Sequence, residues 1–292
     1  MCQMTAARPL MPGRGVAITA MALAAICFAY VPAASAEDAP NILTAPFAIT
    51  LGTFTLNSDT EVRLDGKGKL EPGTPINWEN TFGGGDVTRF RIDGHWRFGD
   101  SDRHKVRFMW FSTSRDKSKT LDKDIEFQGQ LYPVNAKVTA SSSFDIYEVA
   151  YEYALWHRDT WEINTSIGFH VADLSLGLKA KASTSNGTLS GDISREGKVS
   201  APLPVVGLRG LWQLPHNFYI DASAQYFALA IDDFDGRVSD YKFVVNWQPK
   251  TWLGIGIGYN QFDVDVDVNK DRFKGNLNWS YKGPMVFYSA VF

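Results

Sequence analysis

Between Val87 and Phe98 every second residue is ionisable: Arg89, Arg91, Asp93, His95 and Arg97. Residues two apart in a strand share a face, so this spacing builds a ladder of guanidiniums interrupted by one carboxylate and one imidazole. Such a ladder could hold or pass a small anion through charge-assisted hydrogen bonds. It could equally lock onto carboxylates of neighbouring strands and plug a confined space. Partners of the right periodicity recur along the chain: Lys105 and Arg107, Glu148 and Glu152, Glu162 and His170, Arg209 and Asp221, and early on Asp59 and Glu61. The leading expectation is a cross-linked salt-bridge plug, with an anion conduit as the second reading. Gly254, Gly256 and Gly258 would leave room for a conduit, or only relieve crowding.

Other chemistry is sparser. Asp263, Asp265 and Asp267 offer three carboxylates in a row, a weak oxygen-ligand set for Ca²⁺ or for bridging to lipopolysaccharide phosphates. Their spacing follows no known Ca²⁺-loop pattern, and the blander reading is a solvated acidic loop. Both cysteines, Cys2 and Cys27, fall in the first 36 residues, so the remainder has no thiol for a disulfide, a metal or a nucleophile. Of five histidines, His95 and His170 are placed to face inward, where a lone imidazole is usually hydrogen-bonded filler. No cofactor is expected.

The elements that would position these side chains are strands. Alternation of period two recurs about ten times after residue 36, bounded by Gly, Pro, Asn or Asp. Opposite the charged ladder stand Phe90, Ile92, Trp96 and Phe98. Tyr147, Val149, Tyr151 and Tyr153 likewise oppose Glu148, Ala150 and Glu152, and Tyr241, Phe243, Val245 and Trp247 oppose Asp240, Lys242, Asn246 and Gln248. A row of charges cannot face a protein core, so the aromatic rows are expected outside and the charged rows inside. By the same rule Phe54, Leu56, Val62 and Leu64 are placed outside with Asp59 and Glu61 inside, and Phe273, Leu277, Trp279 and Tyr281 outside. Short connections (Gly99–Arg103, His157–Thr160, Pro215–Asn217, Pro249–Thr251) alternate with long ones (Asp65–Asp86, Asp116–Ala140, Ser183–Gly197, Asp232–Gly236, Asp263–Asp271). Six tryptophans lie near the short turns, as an interfacial girdle would.

The chain has 292 residues, 45% hydrophobic and 21% charged, with 29 Lys+Arg against 32 Asp+Glu. That excludes a disordered chain and a basic nucleic-acid binder. Residues 1–36 combine Arg8 and Arg14, an apolar stretch over Val16–Tyr30 and the small-residue site Ala34-Ser35-Ala36, the signature of a secretory signal peptide cleaved after Ala36. Residues 37–46 then form a short periplasmic segment, and 47–292 an all-β, up-and-down antiparallel transmembrane barrel with short periplasmic turns and longer extracellular loops.

The end of the chain sets Val286, Tyr288, Ala290 and Phe292 on one face. A terminal Phe after alternating apolar residues resembles the C-terminal signature of Gram-negative outer-membrane β-barrel proteins, which the barrel-assembly machinery recognises. The resemblance implies an outer-membrane location, contact with lipid and lipopolysaccharide, and Tyr288, Ala290 and Phe292 as the assembly signal. It names no subfamily and leaves the oligomeric state open. The apolar face is odd-numbered through Tyr281 and even-numbered from Val286, so a bulge at Lys282-Gly283-Pro284 is expected within one long final strand. That gives ten strands; a hairpin over Asp124–Gln130 would make twelve. Barrel hydrolases of the phospholipase and deacylase type carry a His two residues before Ser-Asn, where this chain has Ser183 before Ser185-Asn186. Omptin proteases use acidic pairs with a rim His, and none adjoins Asp232, Asp233 and Asp235. The expectation is therefore a non-enzymatic barrel, a narrow channel or a loop-binding scaffold, with a rim hydrolase as the alternative.

Overall fold

A computed structural model describes residues 41–65, 73–84, 87–181, 192–231, 234–270 and 273–292. The expected signal peptide, Ser183, Ser185-Asn186, Asp232 and Asp233 lie outside the described residues. Ten long strands form one antiparallel sheet that closes on itself: β1 (Phe47–Leu64), β3 (Val87–Phe98), β4 (His104–Thr120), β7 (Lys137–His157), β8 (Trp161–Ala180), β9 (Ile193–Leu214), β10 (Phe218–Ile231), β11 (Phe234–Lys250), β12 (Leu253–Lys270) and β13 (Phe273–Val291). Each pairs with its sequence neighbour, and β13 pairs with β1 to shut the barrel. At the seam Phe47 and Phe292 exchange both backbone hydrogen bonds, 2.9 and 2.7 Å, so the terminal residue is the last rung of the ladder.

The expected ten-strand count holds, but the bulge does not. Registers of β13 with both β1 and β12 stay constant from Gly275 to Ser289, straight through Gly283 and Pro284. The second hairpin exists as β5 (Ile125–Phe127) with β6 (Gln130–Tyr132), a separate two-stranded sheet outside the barrel. Two expected long loops also vanish, because strands run through them: β10 and β11 are joined by two residues, as are β12 and β13.

Strand length explains the parity puzzle. β9 has 22 residues, about 70 Å at about 3.3 Å per residue, whereas crossing a membrane takes about 9–11 residues. Roughly half of the barrel therefore stands clear of the bilayer. In the half with short turns, lipid-type side chains point out: Val149, Ile167, Val206, Leu208, Ile257 and Val286 are all more than half exposed. Trp96, Trp156, Trp212, Trp247 and Trp252 are exposed near the turns as the girdle requires.

In the other half the pattern inverts. Phe54, Leu56, Val62, Trp279 and Tyr281 are buried inside, while Asp59 and Glu61, read from sequence as lumen residues, project outward and are exposed. The reason is solvent. Water surrounds this half, so the hydrophobic effect drives apolar rows inward as in any soluble barrel. One cluster thus fills the interior with Phe111, Val138, Phe144, Ile146, Leu176, Leu178, Phe262 and their neighbours. Its roof comes from the long connections. After the two-residue strand β2 (Ile76–Asn77), which pairs with β1, the one-turn helix α1 (Trp78–Phe82), capped by Asn77 and tied to β1 through Glu79 (Thr60 amide to carboxylate, 2.7 Å), drops Trp78 and Phe82 inward. Beside it the β5–β6 hairpin buries Phe127 and Tyr132. The Tyr132 hydroxyl donates to the Leu178 carbonyl at 2.9 Å, and burial holds its pKa up at about 12.

The inversion has a direct test. Ile257→Arg, on the lipid face, is expected to destabilise the barrel by about 2–4 kcal/mol, while Glu61→Lys, on the water face, changes it by less than about 0.5 kcal/mol. Equilibrium unfolding in lipid vesicles reads both; equal effects would mean that the two outer faces meet the same solvent.

Candidate functional site

Within the membrane half the inward rows of β3, β4, β7, β8, β9, β10 and β11 converge into one polar network. Arg209 holds Asp221 with two bonds, 2.8 and 3.0 Å, and reaches Glu152 at 3.2 Å. Glu152 is fully buried and also faces Arg107 at 3.3 Å and Lys105 at 3.8 Å. Arg107 continues to Glu148; Lys105 continues to Glu162, which Arg97 holds at 3.2 and 3.3 Å. On the far side Arg91 clasps Asp93 at 2.7 and 2.8 Å, and Lys242 bridges Asp93 and Asp221, both at 3.5 Å. Six cations (Arg91, Arg97, Lys105, Arg107, Arg209, Lys242) thus stand with six acids (Asp93, Glu148, Glu152, Glu162, Asp221, Asp240).

Most of the sequence-derived lumen set is therefore brought together. Arg89 faces inward but stays outside the network, its guanidinium taken by Thr113 Oγ1 (3.1 Å) and the Ser114 and Thr88 carbonyls. His95 is buried against the network with Nε2 unpartnered. His170 Nε2–H donates to Gln225 Oε1 (2.7 Å), and the ring stacks on Phe262, centroids 5.6 Å apart. Asp59 and Glu61 are absent from the lumen because their stretch of β1 belongs to the inverted half. Sequence reasoning had Lys242, Asp240 and Gln225 on the inward rows of their strands without including them in the network, and it missed Asn260. Asn260 receives Arg91 at 2.7 Å and donates to Asp240 at 2.5 Å. The missed signal was parity: Asn260 shares its inward face with Gly256 and Gly258.

The space over the glycine row is taken by neighbouring side chains. Gln248 and Ser289 lie against Gly254, and the Phe287 ring lies against Gly256, where a Cβ would overlap them. A gap of about 50 Å³ remains between the network and the β1–β13 wall, room for one or two waters. The short-turn end is stoppered. Residues Asn41–Ala45 form a turn that buries Ile42 and Leu43 against Leu211, Tyr219 and Val291, with the Ile42 carbonyl 3.3 Å from Arg97.

Metal-type constellations differ from the sequence reading. Asp263, Asp265 and Asp267 lie in β12, not in a loop, and point outward along one row. Their three carboxylates do not gather within 4.8 Å of one another. Among the described residues, Glu148, His170 and Asp240 place one ligand atom each within 4.8 Å of one another. An ion there would have to displace the Arg107, Gln225 and Asn260 bonds that those groups already make.

A closed sheet of ten antiparallel strands, lipid-facing aromatics and a charged interior leave few architectures. The fold is that of an outer-membrane β-barrel. No protein-family model matches the sequence, and no curated protein does. Among solved structures the barrel is similar to the outer membrane protease OmpT from Escherichia coli, with a TM-score of 0.54 at 11% identity over 84% of this chain and 96% of that one. Looser likenesses are to Ail, the attachment invasion locus protein of Yersinia pestis (TM-score 0.33, 11% identity, 83% and 97% covered), and to the toluene transporter TodX of Pseudomonas putida (TM-score 0.34, 9% identity, 88% and 93% covered). The fold class rests on the first of these; at such identities no activity follows from any of them.

Proposed function

We propose that this outer-membrane barrel is a non-conducting, non-enzymatic scaffold: the membrane half is an anchor with a sealed lumen, and the half beyond it is the binding element. The observation that carries this reading is the buried network of six cations with six acids, stoppered by Ile42 and Leu43. A hydrated ion crossing it would have to separate ion pairs that have no water to replace their partners. The rim-hydrolase alternative loses support from the histidines. His104, His157 and His216 lie at the short-turn end, His95 lies in the network, and His170 is buried beneath Phe262, so none stands at the loop rim.

In this reading residues 1–36 are the export signal, cut after Ala36, and the loop end is extracellular. The outward-facing Tyr288, with Ala290 and the last ladder residue Phe292, is the stretch presented to the barrel-assembly machinery. Lipid and lipopolysaccharide surround the aromatic belt.

Purified protein in planar bilayers is expected to give no unit conductance steps in potassium chloride. Stepwise anion-selective currents would restore the conduit, and phospholipid or peptide hydrolysis abolished by His170→Ala would restore the enzyme.

A further inference from the structure

The apolar half of the barrel is not completely filled. Opposite walls, β7–β9 on one side and β12, β13 and β1 on the other, leave a cavity of about 80 Å³ between them. Phe144, Leu174, Leu176, Leu203, Val264 and Trp279 form its walls, and Trp279 lies stacked on Phe144 with ring centroids 4.2 Å apart. Gly197, Lys198, Gly275 and Asn276 line its end toward the loops. Among the described residues, none of α1 or of the β5–β6 hairpin lines the cavity.

Three features define what fits. The surface of the lining is almost wholly carbon, and among the described residues none of the buried polar atoms that lack a hydrogen-bond partner belongs to it. Its charged members, Asp145, Asp173 and Lys198, are half-buried or exposed, with Lys198 paired to Glu196 at 3.2 Å, so a charged group drawn into the depth of the cup would lose its water without a partner there. The walls are rungs of one continuous hydrogen-bonded sheet, so the width is fixed. The volume is about half that of an engineered apolar cavity of about 150 Å³ that stays dry and takes up benzene or xenon. A ligand the size of one ring would thus project toward the loop end. A dry gap in an otherwise packed core forfeits contacts on every side, and an apolar occupant recovers them.

We infer that this cup binds a small uncharged hydrocarbon group, a single aromatic ring or a short branched alkyl chain, entering from the loop end. The inference rests on the proposed assignment of binding to the half beyond the membrane and gives that assignment a ligand class.

The test uses the full barrel in lipid nanodiscs with ¹³C-labelled Leu, Val and Ile methyl groups, titrated with benzene and, separately, with benzoate. Benzene is expected to shift the methyls of Leu174, Leu176, Leu203 and Val264 saturably. Those of Val149 and Ile257, which face lipid, should drift only with partitioning into the bilayer. Ala172→Leu, which extends a partly buried cup residue into the void, is expected to weaken the saturable phase at least tenfold. Should that variant fail to assemble, the wild-type comparison still decides. Shifts that never saturate, or that Val149 and Ile257 share equally, overturn the inference, and benzoate binding as tightly as benzene overturns its ligand class. Bilayer conductance of the same preparation is a separate readout: currents would sink the scaffold reading while leaving the cup's occupancy to be judged by the methyl shifts.

Discussion

Glu152→Ala is expected to destabilise the barrel by about 3–5 kcal/mol, because it removes one partner from a buried charge network and leaves the others uncompensated. Glu152 is fully buried and is the acid shared by Lys105, Arg107 and Arg209, at 3.8, 3.3 and 3.2 Å. Without it Glu148, Glu162 and Asp221 must neutralise three cations that also repel one another. The surface pair Lys119–Asp122, at 3.8 Å with both side chains well exposed, is the matched control; Lys119→Ala is expected to cost no more than about 1 kcal/mol. Denaturant unfolding of both variants, followed by the shift of the folded band on unheated gels, gives the comparison. Raising the salt to 1 M should leave the Glu152 effect unchanged, since buried pairs are little screened. An effect below about 1 kcal/mol, or one that salt erases, would mean that water reaches the network and that the lumen is not sealed.

How far this arrangement could be read from the chain depends on which half is considered. In the membrane half, alternation alone places Arg91, Asp93, His95 and Arg97 inward and Trp96 outward, because lipid outside and charge inside fix the sign of the pattern. Beyond the membrane, the same period of two carries the opposite sign, and no single strand segment says which solvent it meets. The clue lies within individual strands. On β12 the apolar row is Ile255, Ile257 and Tyr259, exposed, and then Phe262 and Val264, buried. The hydrophobic parity flips between Tyr259 and Phe262 while the pairing register does not. On β13 it flips between Tyr281 and Val286 in the same way. A flip of this kind reads from sequence as a bulge, the device that shifts register by one residue. Two neighbouring strands flipping at the same height is instead the mark of a solvent boundary. The roof and the Ile42–Leu43 stopper had no such signal, because a short apolar pair in a connection shows no period.

The boundary itself supplies the second large effect. Phe262 sits fully buried where the charged network ends and the apolar interior begins, stacked on His170 at 5.6 Å and on Tyr281 at 5.2 Å and tilted against Trp279 at 5.7 Å. Phe262→Ala is expected to cost about 3–5 kcal/mol, the range for emptying a buried aromatic site. Phe262→Leu keeps much of the volume and is expected to cost less than about 1.5 kcal/mol. The same denaturant assay separates them. Conductance then divides two accounts of the seal. If the ion-pair network is the barrier, Phe262→Ala stays electrically silent despite its lost stability, since Arg91, Arg107, Arg209 and their acids remain paired on the membrane side of the void. If instead the aromatic layer of Phe262, Trp279 and Tyr281 is the barrier, the same variant opens a current. The first outcome is the expected one: an apolar layer gates only by staying dry, whereas the buried pairs must be pulled apart before anything charged can pass.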